Sequence, residues 1–173
     1  MQTSWQPRSL NGDRPCWPVS GGTTPLKLFE VLSRKMIDWN PVPITLVDER
    51  FCAEWRTNAL QRKLVRDHLL RDHAGVARFV GSLTIRRRRP KQQHLPPPAV
   101  IDALRRPFDV VVLGMGNDGH TASFFPTPTG SIQAINPATR ALVLPIHAEG
   151  AGEKRLTLTP AADCRSRNAG AAY

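Results

Sequence analysis

His120 lies in the run Leu113-Gly114-Met115-Gly116-Asn117-Asp118-Gly119-His120-Thr121-Ala122-Ser123, which sets one imidazole and one carboxylate among glycines. Imidazole exchanges its proton near neutral pH, so a histidine in such a loop is a candidate general base. Asp118, two residues earlier, would fix the ring's tautomer or cap the turn. A helix starting at His120 would disfavour the imidazolium and keep the ring neutral. Two other runs carry anion chemistry. Ser20-Gly21-Gly22-Thr23-Thr24-Pro25 lets backbone N–H groups approach a ligand ahead of a helix N-terminus, where phosphate is the natural guest; a plain tight turn would use the same residues. Asp48-Glu49-Arg50 offers a guanidinium that would grip phosphate oxygens as a fork, with Asp48 or Glu49 to orient it. Three charges after an apolar strand also suit a solvated turn.

Gly114, Gly116 and Gly119 satisfy G-x-G-x-x-G, but the acidic residue that a dinucleotide ribose would need about twenty positions on is absent. No Asp or Glu occurs between Gly119 and Glu149, and the motif follows two earlier strand–helix units. His68, His73, His94 and His147 make no metal-ligand spacing with one another or with the cysteines. No metal and no cofactor is therefore expected.

These runs need strand ends and helix starts to hold them. Pro18-Val19-Ser20 reads as a short buried strand entering the first glycine loop, with Thr24 as N-cap and Pro25 as the first helical residue. Leu28, Phe29, Leu32 and Met36 then form the stripe of an amphipathic helix that Pro41 and Pro43 stop. Ile44 to Val47 is a second strand, followed by a helix over about 58–70 with Leu60, Leu64 and Leu69 inward. Asp109 to Leu113 is the clearest strand, Ala141 to Leu144 a fourth, and Arg155 to Thr159 a fifth. Continuous Val/Leu runs separated by helices predict an α/β fold, doubly wound, with a mostly parallel sheet covered on both faces. Chemistry collects where such strands end.

The chain has 173 residues, with 24 Lys+Arg against 14 Asp+Glu for a net +10. That length suits one domain. The basic excess alone would suggest a polyanion binder, but half of it lies in the Pro-rich stretch 81–98, which carries Arg86, Arg87, Arg88, Arg89 and Lys91 and no acid. No aromatic residue interleaves with these arginines to stack bases, so an exposed linker is expected and a nucleic-acid partner is not. No apolar run approaches the roughly 20 residues of a membrane span, and Met1–Pro15 lacks the apolar core of a secretory signal. Cys16, Cys52 and Cys164 are odd in number and far apart, which suits a reducing cytoplasm.

SGGTTP, LSRKMIDW leading to ITLVDER, FDVVVLGMGNDGHTASFFP and LPIHAEGAGEKRLTLT, in this order and spacing, resemble the 6-phosphogluconolactonase family. That family is grouped with the glucosamine-6-phosphate isomerases and deaminases and shares their doubly wound α/β fold. Thr121-Ala122-Ser123 after the histidine resembles the lactonase branch. The resemblance implies hydrolysis of 6-phospho-D-glucono-1,5-lactone to 6-phosphogluconate in the oxidative pentose phosphate pathway. His120 would activate water, supported by Asp118. Ser20, Gly21, Gly22, Thr23, Thr24, Arg50 and Arg155 would hold the 6-phosphate, and Gly114 and Gly116 would let the substrate reach the backbone. The substrate would be the only partner, with a monomer expected. The likeness covers residues 19–159 apart from the basic loop 81–98; segments 1–18 and 160–173 read as divergent, the latter standing where the C-terminal part of the fold would be missing. The alternatives are a sugar-phosphate isomerase or deaminase of the same fold, an inactive sugar-phosphate-binding remnant, and a polyanion binder acting through Arg86–Arg89.

Overall fold

Short runs of apolar residues separated by helix-length segments build the larger of two sheets. The computed structural model describes residues 16–50, 60–80, 108–126, 131–136, 138–147, 154–160 and 169–172. Strand β1 (Trp17–Val19) leads to helix α1 (Leu26–Ser33), β2 (Pro43–Leu46) and β3 (Asp48–Arg50). Helix α2 (Leu60–His68) and a 3-10 turn (Asp72–Val76) precede β4 (Arg78–Phe79). Then follow β5 (Val111–Gly114), a short helix α3 (Ser131–Ile135), β6 (Val143–Ile146), β7 (Arg155–Leu158) and β8 (Ala169–Ala172).

The five-stranded sheet runs β4-β2-β1-β5-β8, with every pairing parallel. Trp17 stands opposite Ile44, Val19 opposite Val112, and Val111 opposite Ala169. The parallel, helix-covered sheet agrees with the sequence reading, and β8 draws residues of the divergent tail into it. One core unites Trp17, Val19, Phe29, Trp39, Ile44, Leu46, Val65 and Leu69. Trp17 and Trp39 meet edge-to-face there, with centroids 5.2 Å apart. A second core joins Val47, Phe108, Val111, Ala122, Val143, Leu156 and Leu158.

The strands β6 and β7 depart from expectation. They do not extend the parallel sheet but form, with β3, a separate antiparallel sheet ordered β3-β7-β6. Fewer residues separate Ile146 from Arg155 than the dozen or so a parallel crossover needs, so the two strands pair antiparallel. Val47 is the point of exchange between sheets: its N–H donates to Val19 O at 3.1 Å, and its carbonyl accepts from Leu158 N at 2.8 Å.

Three local expectations are also corrected. Helix α1 ends at Ser33, so Met36 lies beyond it and is 89% exposed, while Leu28 faces outward. The chain leaves the helix there to seat Trp39, whose Nε1 donates to Lys35 O at 3.0 Å. Thr24 does not cap α1; Pro25 occupies that position without a side-chain cap. The 58–70 helix ends earlier, at His68, and Val65 joins Leu69 as a fully buried residue while Leu64 is half-buried; its expected start at Asn58 and the inward side chain of Leu60 lie outside the described residues. Residues 1–15, the 81–98 basic loop, Cys52 and Cys164 lie outside the described residues. Among those described, no helix is long and apolar enough to cross a membrane, and no group of three His, Cys, Asp or Glu is placed to hold a metal ion.

Candidate active site

The C-terminal ends of β1 and β5 lie side by side, and the two glycine loops leave from them. Ser20 N–H donates to Val112 O at 2.8 Å, tying the first loop to β5. Gly22 has φ +85°, a left-handed turn that glycine enters without strain. Gly21 is required for a different reason: a Cβ there would collide with the side chain of Gln61 on α2. Thr24, freed from capping, turns its hydroxyl to the Met115 carbonyl at 3.5 Å. Gly114 faces this contact; a Cβ on it would stand 3.5 Å from that of Thr24.

The second loop folds back on itself. Gly116 N–H donates to His120 O at 2.8 Å and Gly119 N–H to Gly116 O at 2.9 Å, with Gly119 at φ +83°. Asp118 Oδ1 accepts the His120 N–H at 3.2 Å and pairs with the imidazole Nδ1. The imidazole side chain hydrogen-bonded to Asp118, then the His120 N–H, hold the exposed Asp118 carboxyl below the usual carboxylate range. With Nδ1–H donated to Asp118, Nε2 carries the lone pair a base needs. Gly116 makes this arrangement possible, because a Cβ there would strike the imidazole. The ring itself takes the space that the sequence reading gave to a substrate at Gly116. The expected helix start at His120 is also corrected: residues 121–126 form tight turns, with Thr121 bridged to Met115 and to Phe124. The carboxylate, and not a helix dipole, is what the structure sets against the imidazole.

Asp48-Glu49-Arg50 is not a solvated turn. It is strand β3, with Asp48 3% and Glu49 2% exposed. Burial pushes the Asp48 carboxyl above its usual range, opposed by the Ser123 hydroxyl and by Arg155, His120 and Arg50. Burial, assisted by the neighbouring Asp48, raises Glu49 to about 7. Glu49 Oε1 accepts the Arg50 N–H at 2.9 Å, while Oε2 has no hydrogen-bond partner among the described residues. Arg50 stands directly opposite Arg155 across the β3–β7 ladder. Residues opposite one another share a face of the sheet, so two guanidiniums project together, an arrangement that costs energy unless anions offset it. Asp48 offsets part of it, with Oδ2 3.7 Å from Arg155 Nη1.

These elements enclose a cleft of about 420 Å³. Ser20, Gly21, Gly22, Thr23 and Thr24 form one wall. Gly114, Gly116 and His120 form another, and Arg50 and Arg155 a third. Asp118 lies behind His120 and outside the lining. Sequence reasoning missed Gln61, which lines the cleft from α2, and Phe125, whose ring lies 4.5 Å from that of His120. Nothing in the spacing of either residue signals a role. A smaller apolar hollow of about 150 Å³ between the sheets, walled by Phe108, Leu113, Phe124 and Leu158, has no charged lining residue.

The family profile described as glucosamine-6-phosphate isomerases/6-phosphogluconolactonase matches residues 15–170. The chain belongs to this glucosamine-6-phosphate isomerase/6-phosphogluconolactonase family. It is 46% identical over 141 residues to a 6-phosphogluconolactonase of Rhizobium meliloti (strain 1021), covering 82% of this chain and 60% of that protein. The corresponding protein of Mesorhizobium japonicum is 48% identical over 143 residues, covering 82% of this chain and 58% of the relative. A crystal structure of a 6-phosphogluconolactonase from Shewanella baltica OS155 superposes with a TM-score of 0.75 at 40% identity, covering 92% of this chain and 66% of that one. A monomeric glucosamine-6-phosphate deaminase shares the fold at a TM-score of 0.53 and 13% identity. The chain thus spans roughly 60% of the length of the curated relatives it matches.

Proposed function

We propose that the cleft hydrolyses 6-phospho-D-glucono-1,5-lactone to 6-phospho-D-gluconate, in the oxidative pentose phosphate pathway. The observation that carries this reading is the convergence of two opposed guanidiniums and a carboxylate-backed imidazole on one cleft. Arg50, Arg155 and the Ser20–Thr24 loop supply charge and N–H donors for the 6-phosphate. That anchor leaves the lactone carbonyl to be presented to His120. The relatives named as 6-phosphogluconolactonases support the lactone in preference to an amino sugar.

A δ-lactone is an activated ester, so a positioned water and one base suffice for attack at C1. His120 Nε2 takes a proton from the water as its oxygen bonds to C1, and Asp118 stabilises the imidazolium that results. The tetrahedral intermediate then collapses with cleavage of the C1–ring-oxygen bond. The imidazolium returns its proton to the departing ring oxygen, so the net change is addition of one water and regeneration of the base. General-base catalysis of this kind is worth about 10²–10⁴-fold. A cytoplasmic setting goes with this reading, supported by the odd, dispersed cysteines.

Hydrolysis of freshly made 6-phosphogluconolactone should exceed the spontaneous rate, and hydrolysis of unphosphorylated gluconolactone should not. Equal acceleration of both lactones would remove the phosphate site from the reading. Binding of 6-phosphogluconate without any acceleration would favour a sugar-phosphate-binding remnant.

A further inference from the structure

His120 lies in the loop that follows β5 of the parallel sheet, Arg155 lies on β7 of the antiparallel sheet, and Asp118, the partner of His120, sits on the same loop as His120 and is exposed. That pair cannot set the base's distance from the anion ligand. A second set of contacts does. Ser123 is fully buried, and its hydroxyl donates to Asp48 Oδ2 at 2.7 Å. The same carboxylate oxygen stands 3.7 Å from Arg155 Nη1. The Arg155 guanidinium lies 5.4 Å from the centroid of the Phe125 ring, and that ring lies 4.5 Å from the His120 imidazole at 31°. Phe125 is itself anchored in a small core with Ala134 and Ile146. The contacts close a circuit, His120–Phe125–Arg155–Asp48–Ser123, whose ends are joined through Thr121 and Ala122. Ala122 has φ +49°, a conformation that a non-glycine residue keeps only where its surroundings hold it.

We propose that Ser123 and Phe125 are positioning residues that clamp the base loop to Arg155 through Asp48, holding the base and the anion ligand at one spacing. The roles rest on the hydrolase reading above. Phosphate anchoring helps the chemistry only if the carbonyl arrives at the base in register, and a misplacement of about 1 Å costs on the order of 10²-fold. Ser123 reaches the guanidinium only through the Asp48 carboxylate, whereas Phe125 touches both the base and the guanidinium.

The test measures kcat with the lactone and the Kd of 6-phosphogluconate by calorimetry, for folded variants of the full chain. Phe125→Leu conserves apolar character but removes the aromatic face; kcat should fall about 10-fold and Kd should weaken about 3-fold. Ser123→Ala should lower kcat about 10-fold with Kd within about twofold of wild type. Phe125→Tyr should recover most of the Phe125→Leu loss. Values of kcat and Kd within twofold of wild type for both Phe125→Leu and Ser123→Ala would overturn the proposal. If Ser123→Ala fails to fold, Phe125→Leu decides by the same criterion. A wild type that binds 6-phosphogluconate but hydrolyses nothing refutes the hydrolase reading; the clamp then stands or falls on whether Phe125→Leu weakens binding.

Discussion

Replacing Glu49 by Gln should stabilise the protein at and above neutral pH and remove a pH dependence. Glu49 is 2% exposed, accepts one backbone N–H, and leaves Oε2 unpartnered among the described residues. Burial raises its pKa from 4.5 to about 7, with Asp48 adding to the rise. The folded state therefore holds a proton that the unfolded state releases between those two values. The stabilisation is complete below the unfolded value and is lost as pH rises through the folded one. A shift of that size corresponds to on the order of 3 kcal/mol between pH 4 and pH 8. Gln keeps the oxygen that accepts the Arg50 N–H and never ionises. Urea unfolding at pH 5 and pH 8 is the assay. Wild type should lose about 2–3 kcal/mol more than Glu49→Gln across this interval. Equal losses in the two proteins would refute the assignment of a buried, protonated Glu49.

Other substitutions address the site itself. Gly116→Ala should fold but displace the imidazole, lowering kcat about 10²-fold, with 6-phosphogluconate affinity little changed in calorimetry. Arg50→Lys keeps the charge and loses the fork, so KM for the phosphorylated lactone should rise about 10-fold with a smaller change in kcat in initial-rate kinetics. Asp118→Asn retains an oxygen for the His120 N–H but no charge to stabilise the imidazolium; kcat should fall about 10²-fold in the same assay.

The positions at strand ends were legible because glycine and charge have no place inside a buried strand. That logic located the Ser20–Thr24 loop, Gly114 to His120, and Arg50, and the structure brings them to one cleft. The same logic failed for Asp48 and Glu49. The buried Asp48 carboxylate accepts from a serine 75 positions later, a contact that leaves no local trace in the sequence. The antiparallel sheet was hidden for a related reason: apolar strands read alike in either direction, and only the short β6–β7 connection told against a crossover. Met36 kept the helical spacing after the helix had ended, since periodicity does not record the turn that seats Trp39. Phe125 reads as a core residue, and it is one; its contacts with His120 and Arg155 exist only in the assembled fold.

Every step proposed for the cleft depends on His120 as the base. Hydrolysis of fresh 6-phosphogluconolactone by wild type and by His120→Ala, each corrected for the spontaneous reaction, tests it most directly. His120→Ala should lower kcat about 10²-fold or more, with 6-phosphogluconate still bound. Equal corrected rates for the two proteins would contradict it.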